Sequence, residues 1–289
     1  MTWRKAIEEK AILLKAGGVE EAKLQSELLA AFVLGVWNRG EVRAMNDLIV
    51  PESSLTKFNV VVARRLTGEP LQHIVGETEF FGLRMKTSPQ ALIPRPETEI
   101  LVEQALVELS QLGLATPRVL DIGTGSGAIA LAIANSVPSA SMVAIDVSQD
   151  ALQLAEENRE RLGLKNVEFF SLDILSESIP IRFSQFDLVV SNPPYISLTE
   201  LESVESEVKD FEPHVALTDF ADGLSFYRKI AELASKLLKP SGILIMELGY
   251  TSSTAVTEIL QNAKFEQIRL EKDLSGILRV IVAKTVAKD

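Results

Sequence analysis

Among its 289 residues the chain has no cysteine, and its only histidines are His73 and His214. Those absences exclude a disulfide framework, a thiol nucleophile and a zinc centre of Cys and His ligands, so no metal site is expected. Positive charge is also in short supply. Lys and Arg number 29 against 40 Asp and Glu, for a net charge of −11. A protein held mainly by phosphate contacts carries a basic surface, so direct nucleic-acid binding is not expected. No uncharged run reaches the roughly 20 residues of a membrane span. The first residues, MTWRKAIEEKAILLKAGG, interleave Lys and Glu with apolar side chains. A signal peptide needs an unbroken apolar stretch, and a mitochondrial transit peptide avoids acids. The composition therefore predicts a soluble, cytoplasmic protein with no membrane partner, taken here as a monomer.

An apolar content of 46% over this length supports one large domain plus a small one. Residues 1–67 read as helices. Trp3, Ala6, Ile7, Ala11 and Leu14 recur at spacings of three and four, followed by Leu24, Leu28, Ala31 and Phe32, then Leu55, Phe58, Val62 and Leu66. A small helical bundle fits this pattern, serving either as a stabilising cap or as a docking module for a macromolecular substrate. Residues 68–96 are rich in Gly and Pro and contain a candidate hairpin, Thr78 to Phe81, Gly82, then Leu83 to Lys86; they read as a connector.

From residue 97 to 289, helical and strand patterns alternate. Strands are expected at Arg118–Ile122, Met142–Asp146, Val167–Ser171, Phe186–Ser191, Ile243–Leu248, 265–271 and 277–283. Helices are expected at about 97–111, through Asn135, and at 149–162, 223–238 and 252–262. The early strands are short continuous apolar runs, as in parallel strands buried on both faces. The alternation argues an α/β, doubly wound, Rossmann-like sheet of seven mostly parallel strands. The last two strands have no helix between them and should form a C-terminal antiparallel hairpin at one edge.

The turn after the first of these strands reads Asp121-Ile122-Gly123-Thr124-Gly125-Ser126-Gly127-Ala128. Glycines let the backbone bend tightly and let a ligand approach with no Cβ in the way. A helix begins there, so its free N–H groups face that ligand. Asp146 ends the next strand, where a carboxylate can accept from both hydroxyls of a ribose. The pattern alone also satisfies the loose dinucleotide fingerprint. Asp121 favours S-adenosylmethionine, because a carboxylate repels a pyrophosphate but suits a cationic amino-acid end; compensation of a helix N-terminus is the other reading. Asp173, closing the third strand, can accept from an adenine amino group with Ile174 beside the ring, or can simply form a turn.

Strand Phe186–Ser191 runs into Asn192-Pro193-Pro194-Tyr195 (NPPY). Ligands of open α/β sheets bind beyond the carboxyl ends of the strands, which brings this tetrapeptide beside the glycine turn. Two prolines fix φ and present carbonyl acceptors with no N–H donors. A conjugated –NH2 is a poor nucleophile because its lone pair is delocalised, the resonance that flattens a peptide bond. Asn192 Oδ1 and the Pro193 carbonyl can grip its two N–H bonds, and Tyr195 offers a face for stacking. Catalysis would then consist of positioning and of stabilising positive charge on nitrogen; no general base is assigned.

Together with Leu92-Ile93-Pro94-Arg95-Pro96-Glu97-Thr98-Glu99, these residues resemble the PrmC/HemK family of protein-(glutamine) methyltransferases over almost the whole chain. The resemblance implies a small helical domain, a hairpin connector and a class I methyltransferase domain. It implies methyl transfer from S-adenosylmethionine, with S-adenosylhomocysteine as product, to the glutamine amide nitrogen in the Gly-Gly-Gln motif of peptide chain release factors. Cofactor contacts carry over onto Gly123, Thr124, Gly125, Gly127, Asp146 and Asn192, and the acceptor site onto Asn192, Pro193, Pro194 and Tyr195. The Pro-rich segment would also wall the site, with Arg95 reaching an acid or the substrate; as chemistry alone, Glu97 and Glu99 read equally well as helix-start acids. The chain departs from many relatives in Asp273-Leu274-Ser275-Gly276-Ile277-Leu278-Arg279, where Ile277 and Leu278 are apolar. His214 reads as a loop residue and Tyr227 as core. Rival readings are a nucleic-acid amino methyltransferase using the same chemistry, an NAD-dependent oxidoreductase, which leaves NPPY unexplained, and a noncatalytic cofactor-binding module.

Overall fold

A computed structural model of the chain describes residues 1–175 and 185–286, in two compact units. The first comprises residues 1–77 and 205–211. It contains α1 (Trp3–Ala16), α2 (Ala22–Leu34), α3 (Arg39–Ala44), α4 (Glu52–Leu66) and α5 (Leu71–Val75). Thr2 caps α1 by accepting from the Lys5 N–H. Trp3, Leu14, Leu29, Phe58 and Ile74 share one core, in which the Trp3 and Phe58 rings lie 6.0 Å apart and tilted by 45°. On α2 the expected Ala31 is buried, together with Ala22, Ser26, Glu27, Leu29 and Ala30, while Leu24 and Leu28 are half-buried and Phe32 is 42% exposed. That helix is apolar on several sides, so spacing alone did not select its buried face. The unit extends past residue 67 because α5 buries His73 and Ile74. It also recruits a distant segment, Ser206–Phe211, whose Glu207 carboxylate accepts from Arg65 Nη2 at 2.5 Å.

The second unit comprises residues 78–204 and 212–289, of which 185–204 and 212–286 follow the gap in description. Strands β1 (Glu77–Phe80) and β2 (Leu83–Lys86) form the anticipated hairpin. Phe81 and Gly82 at its tip have φ of 50° and 72°, the left-handed pair that a two-residue type I′ turn requires. Phe80 and Met85 are fully buried, so within this unit the hairpin is packed rather than a free connector.

The sheet runs in the order β5-β4-β3-β6-β7-β9-β8, with β3 at Arg118–Ile122, β4 at Ser141–Asp146, β5 at Val167–Ser171, β6 at Phe186–Ser191, β7 at Leu238–Glu247, β8 at Phe265–Lys272 and β9 at Leu278–Thr285. The first five are mutually parallel; β9 is antiparallel to β7, and β8 to β9, giving the expected terminal hairpin at an edge. Strand β7 starts at Leu238, ahead of the expected Ile243, and its pairing with β6 shifts register between Phe186 and Leu188. Helices α6 (Glu99–Leu112) and α7 (Ala128–Ser136) pack on one face; α10 (Ser225–Leu237) and α11 (Ser253–Asn262) pack on the other, while α8 (Gln149–Leu162) follows β4 and α9 is the Ser206–Phe211 helix already placed. Strand β6 is buried at every position, as burial on both faces demands. The neighbours β3 and β6 lie where the strand order reverses, the position at which such sheets bind ligands. Among the described residues, no helix is long and apolar enough to cross a membrane.

Candidate active site

Beyond Ile122 the chain turns through Gly123, Gly125 and Gly127, with φ of 73°, 55° and 84°, all in the left-handed region. The Gly123 and Thr124 N–H groups both donate to the Ile145 carbonyl, fastening the turn to β4. Among the described residues a Cβ on Gly123 or Gly125 would meet nothing within 4 Å, whereas one on Gly127 would lie 3.0 Å from Leu131 Cδ1 and 3.2 Å from Ala155 Cβ. Two of the glycines therefore border open space and the third permits helix packing.

That open space is a cavity of about 370 Å³, within the range of roughly 300–1,000 Å³ common for small-molecule sites. Its wall includes Gly123, Thr124, Gly125, Asp146, Asp173 and Ile174 on one side and Asn192, Pro193, Pro194 and Arg95 on another. The Asp146 carboxylate accepts from the Gly125 N–H at 2.8 Å and the Ser148 N–H at 2.9 Å, so it is aimed before any ligand arrives. Burial raises its pKa against the pull of those amides. Asp173 accepts from the Leu175 N–H at 2.8 Å, so it forms the turn and also lines the cavity.

Asp121 is placed differently from the expectation of direct ligand contact. It is fully buried in β3 beneath the turn and is not part of the cavity wall. Its Oδ2 accepts from the Thr124 hydroxyl at 2.7 Å, while among the described residues Oδ1 meets no hydrogen-bond donor. Burial pushes its pKa up to about 7; Thr124 opposes the rise and the charge of Asp146 adds to it. Alternation along β3 explains the placement, since successive side chains point to opposite faces and none points along the strand.

Tyr195 also lies off the cavity wall. Its ring packs against the apolar layer under α10, beside Gly249, and its hydroxyl donates to Glu247 Oε1 at 3.3 Å. This packing engages part of a half-buried ring. Burial and the neighbouring Glu247 charge hold its phenol well above the ordinary range. Asn192 remains at the wall, with Nδ2 donating to Thr98 Oγ1 at 3.2 Å. Thr98 in turn donates to Glu247 Oε2 at 2.5 Å. Glu247 is 2% exposed, and burial lifts its pKa to about 7 although Thr98, Tyr195 and Arg279 oppose the rise. Neither Thr98 nor Glu247 stands out as a site residue in the sequence: one sits among helix-start residues, the other ends an apolar strand.

Arg95 pairs with Glu212, Nη2 to Oε1 at 2.5 Å, and Glu212 Oε2 accepts from the Ile93 N–H at 3.3 Å. The Pro-rich segment is thereby held to the loop carrying Pro213, Val215 and Phe220, which line the same cavity. His214 is exposed in a short helical turn, and Tyr227 is buried with its hydroxyl donating to the Glu247 carbonyl. In the Asp273–Arg279 turn the carboxylate binds the Ser275 and Ile277 N–H groups and the Arg279 guanidinium.

Residues 115–280 match the methyltransferase domain model, and residues 5–76 match the PrmC N-terminal domain model. A release factor glutamine methyltransferase from Fusobacterium nucleatum is 41% identical over 276 residues, covering 95% of this chain and 77% of its own. One from Koribacter versatilis is 38% identical over 284 residues, covering 98% and 99%. Among solved structures, the T. thermophilus 16S rRNA N2 G1207 methyltransferase in complex with AdoMet and guanosine shares the fold at a TM-score of 0.51 and 19% identity, over 72% of this chain and 49% of its own. With identity of this order sustained from end to end and both domain models matched in sequence order, the chain belongs to the release factor glutamine methyltransferase family.

Proposed function

We propose that the chain transfers a methyl group from S-adenosylmethionine to the side-chain amide nitrogen of glutamine in the Gly-Gly-Gln motif of peptide chain release factors. The observation that carries this reading is the state of Asn192. Its Nδ2 donates to Thr98, itself at the cavity wall, which leaves Oδ1 as the acceptor Asn192 offers to the cavity. A substrate –NH2 has two N–H bonds to place, and Asn192 Oδ1 with the Pro193 carbonyl supplies two acceptors. Holding both bonds turns the nitrogen lone pair out of conjugation with the carbonyl and favours the charge that grows on nitrogen.

The residues fit the cofactor. Open space over Gly123 and Gly125 admits its amino-acid portion, Thr124 and Gly127 shape the turn, the Asp146 carboxylate suits a ribose diol, and Asp173 with Ile174 suits an adenine edge. Asp121 supports the turn from beneath through Thr124. When bound, the cofactor supplies an electrophilic sulfonium methyl group. The chain's own contribution is alignment, with no acid–base residue in the assignment; the proton that the methylated nitrogen must lose passes to solvent. Arg95 borders the substrate side. The helical unit, which contributes none of the cavity residues, is assigned the docking of the protein substrate, and the reading places the enzyme, as a monomer, in the cytoplasm with that substrate.

The test is mass spectrometry of a Gly-Gly-Gln-bearing release factor after incubation with the chain and S-adenosylmethionine, with RNA and DNA as separate acceptors. A methyl group on that glutamine is the expected outcome. Label appearing in nucleic acid alone would overturn the assignment.

A further inference from the structure

The unanticipated pair linked to Asn192 carries a second conclusion, which rests on the proposed reaction. We propose that Glu247 acts through Thr98 as a positioning residue, fixing which end of the Asn192 amide faces the cavity. The three groups come from separate elements: Thr98 from the turn before α6, Asn192 from the end of β6, and Glu247 from the end of β7. They form one hydrogen-bonded line, Asn192 Nδ2 to Thr98 Oγ1 to Glu247 Oε2, at 3.2 and 2.5 Å.

The polarity of the line follows from donor counting. An ionised carboxylate has only acceptors, and a threonine hydroxyl has one proton. Thr98 must give that proton to Glu247, so it shows Asn192 a lone pair. Asn192 must then turn its NH2 toward Thr98 and its carbonyl oxygen toward the cavity. The flipped amide would set two acceptors against each other at 3.2 Å and offer the cavity an NH2 unable to accept from a substrate N–H. The two ends of an asparagine amide are nearly equal in size, so it is hydrogen bonding that distinguishes them.

Protonation of Glu247 removes the constraint. A carboxylic acid can donate to Thr98, freeing the threonine proton to point at a flipped Asn192. Several groups decide where this happens. Tyr195 from beyond β6, Thr98, and Arg279 from β9 favour the ionised form, whereas burial and Glu97 oppose it. Tyr227 of α10 donates to the Glu247 backbone carbonyl rather than to the carboxylate. The balance leaves Glu247 titrating at about 7. Turnover that depends on the ionised form rises with pH through that value and is lost below it.

The experiment uses the full chain with a release factor and S-adenosylmethionine, following kcat and KM across pH for the wild type, Thr98→Val, Thr98→Ser and Glu247→Gln. Thr98→Val is expected to lower kcat on the order of tenfold to a hundredfold, as misalignment of a reacting group does. S-adenosylhomocysteine affinity should fall far less than kcat, and the retained binding reports on folding. Thr98→Ser keeps the hydroxyl and should restore turnover. The acid limb near 7 should be absent in Glu247→Gln. A substrate-free readout accompanies these: the Asn192 side-chain N–H resonances, identified by their loss in Asn192→Ala, should titrate with Glu247 in the wild type and not in Glu247→Gln. Wild-type turnover in Thr98→Val, or resonances that ignore Glu247, overturns the relay. A wild type that leaves the release factor unmethylated sinks the reaction instead, and the resonances still decide the relay.

Discussion

Substituting Gly125 with alanine separates the backbone requirement of the glycine turn from its role toward a ligand. At φ 55° an alanine pays the left-handed penalty, about 1 kcal/mol, but its Cβ meets no atom of the described residues within 4 Å. Stability should therefore fall by about 1 kcal/mol, a shift of roughly 2–4 °C in Tm for a domain of this size. The methyl would occupy cavity space against the proposed cofactor, so S-adenosylhomocysteine affinity should drop by about tenfold or more, equivalent to about 1.4 kcal/mol. Gly127→Ala is the control in the same loop. Its φ of 84° imposes a similar penalty, but its Cβ would press on Leu131 and Ala155, adding about 1–3 kcal/mol of overpacking. Thermal unfolding with and without S-adenosylhomocysteine, with titration calorimetry, reads both quantities. The expected pattern is a small stability loss with a large affinity loss at Gly125, and the larger stability loss at Gly127. Wild-type affinity in Gly125→Ala would refute the placement of the cofactor over that turn.

Three more outcomes follow from the buried carboxylates. Asp121 is raised from an ordinary 3.8 to about 7, so its contribution to stability is complete at low pH and is lost as pH climbs to about 7. Asp121→Asn should accordingly gain in Tm relative to wild type on going from about pH 4 to about 7, at most about 1.4 kcal/mol per pH unit, and a constant difference in thermal melts would contradict it. Tyr195→Phe deletes a hydrogen bond that favours ionised Glu247, so the acid limb of kcat should move to higher pH; an unmoved limb would show that the hydroxyl does not reach the carboxylate electrostatically. Arg95→Ala takes the guanidinium from Glu212, whose side chain is 1% exposed, and should cost about 1–3 kcal/mol in denaturant unfolding. Arg95 is itself part-exposed, which keeps the cost in that modest range. Adding Glu212→Gln should recover part of the loss, whereas strictly additive losses would mean that the pair is not coupled.

Strands β3, β5 and β6 have the limits expected from their apolar runs, which in β3 and β6 reflect burial on both faces even at Asp121 and Asp187. The glycine turn and Asn192 were equally visible, since φ above zero and paired prolines impose themselves locally. What depends on the fold was hidden. Tyr195 follows two prolines, and only the placement of Gly249 and Glu247 shows that its ring turns into the layer under α10. Thr98 and Glu247 lie 149 positions apart and meet only because the α6 entry and the β7 exit converge on β6. Asp121 reads as a ligand contact from its charge beside the glycines, yet strand alternation seats it below the turn. Long-range pairings of this kind leave no periodic signature.

The helical unit is made from two separated stretches, residues 1–77 and 205–211. Arg65, 6% exposed, takes its carboxylate partner Glu207 from the second stretch, besides its bonds to Gln25 and the Glu69 carbonyl. A fragment ending at residue 77 would thus keep the apolar core but lose the counter-ion of a buried cation, so the unit is not a bead that can be cut from the string. An excised N-terminal piece should melt earlier than one supplied with the 205–211 peptide, and swapping this unit between relatives would require moving both stretches together.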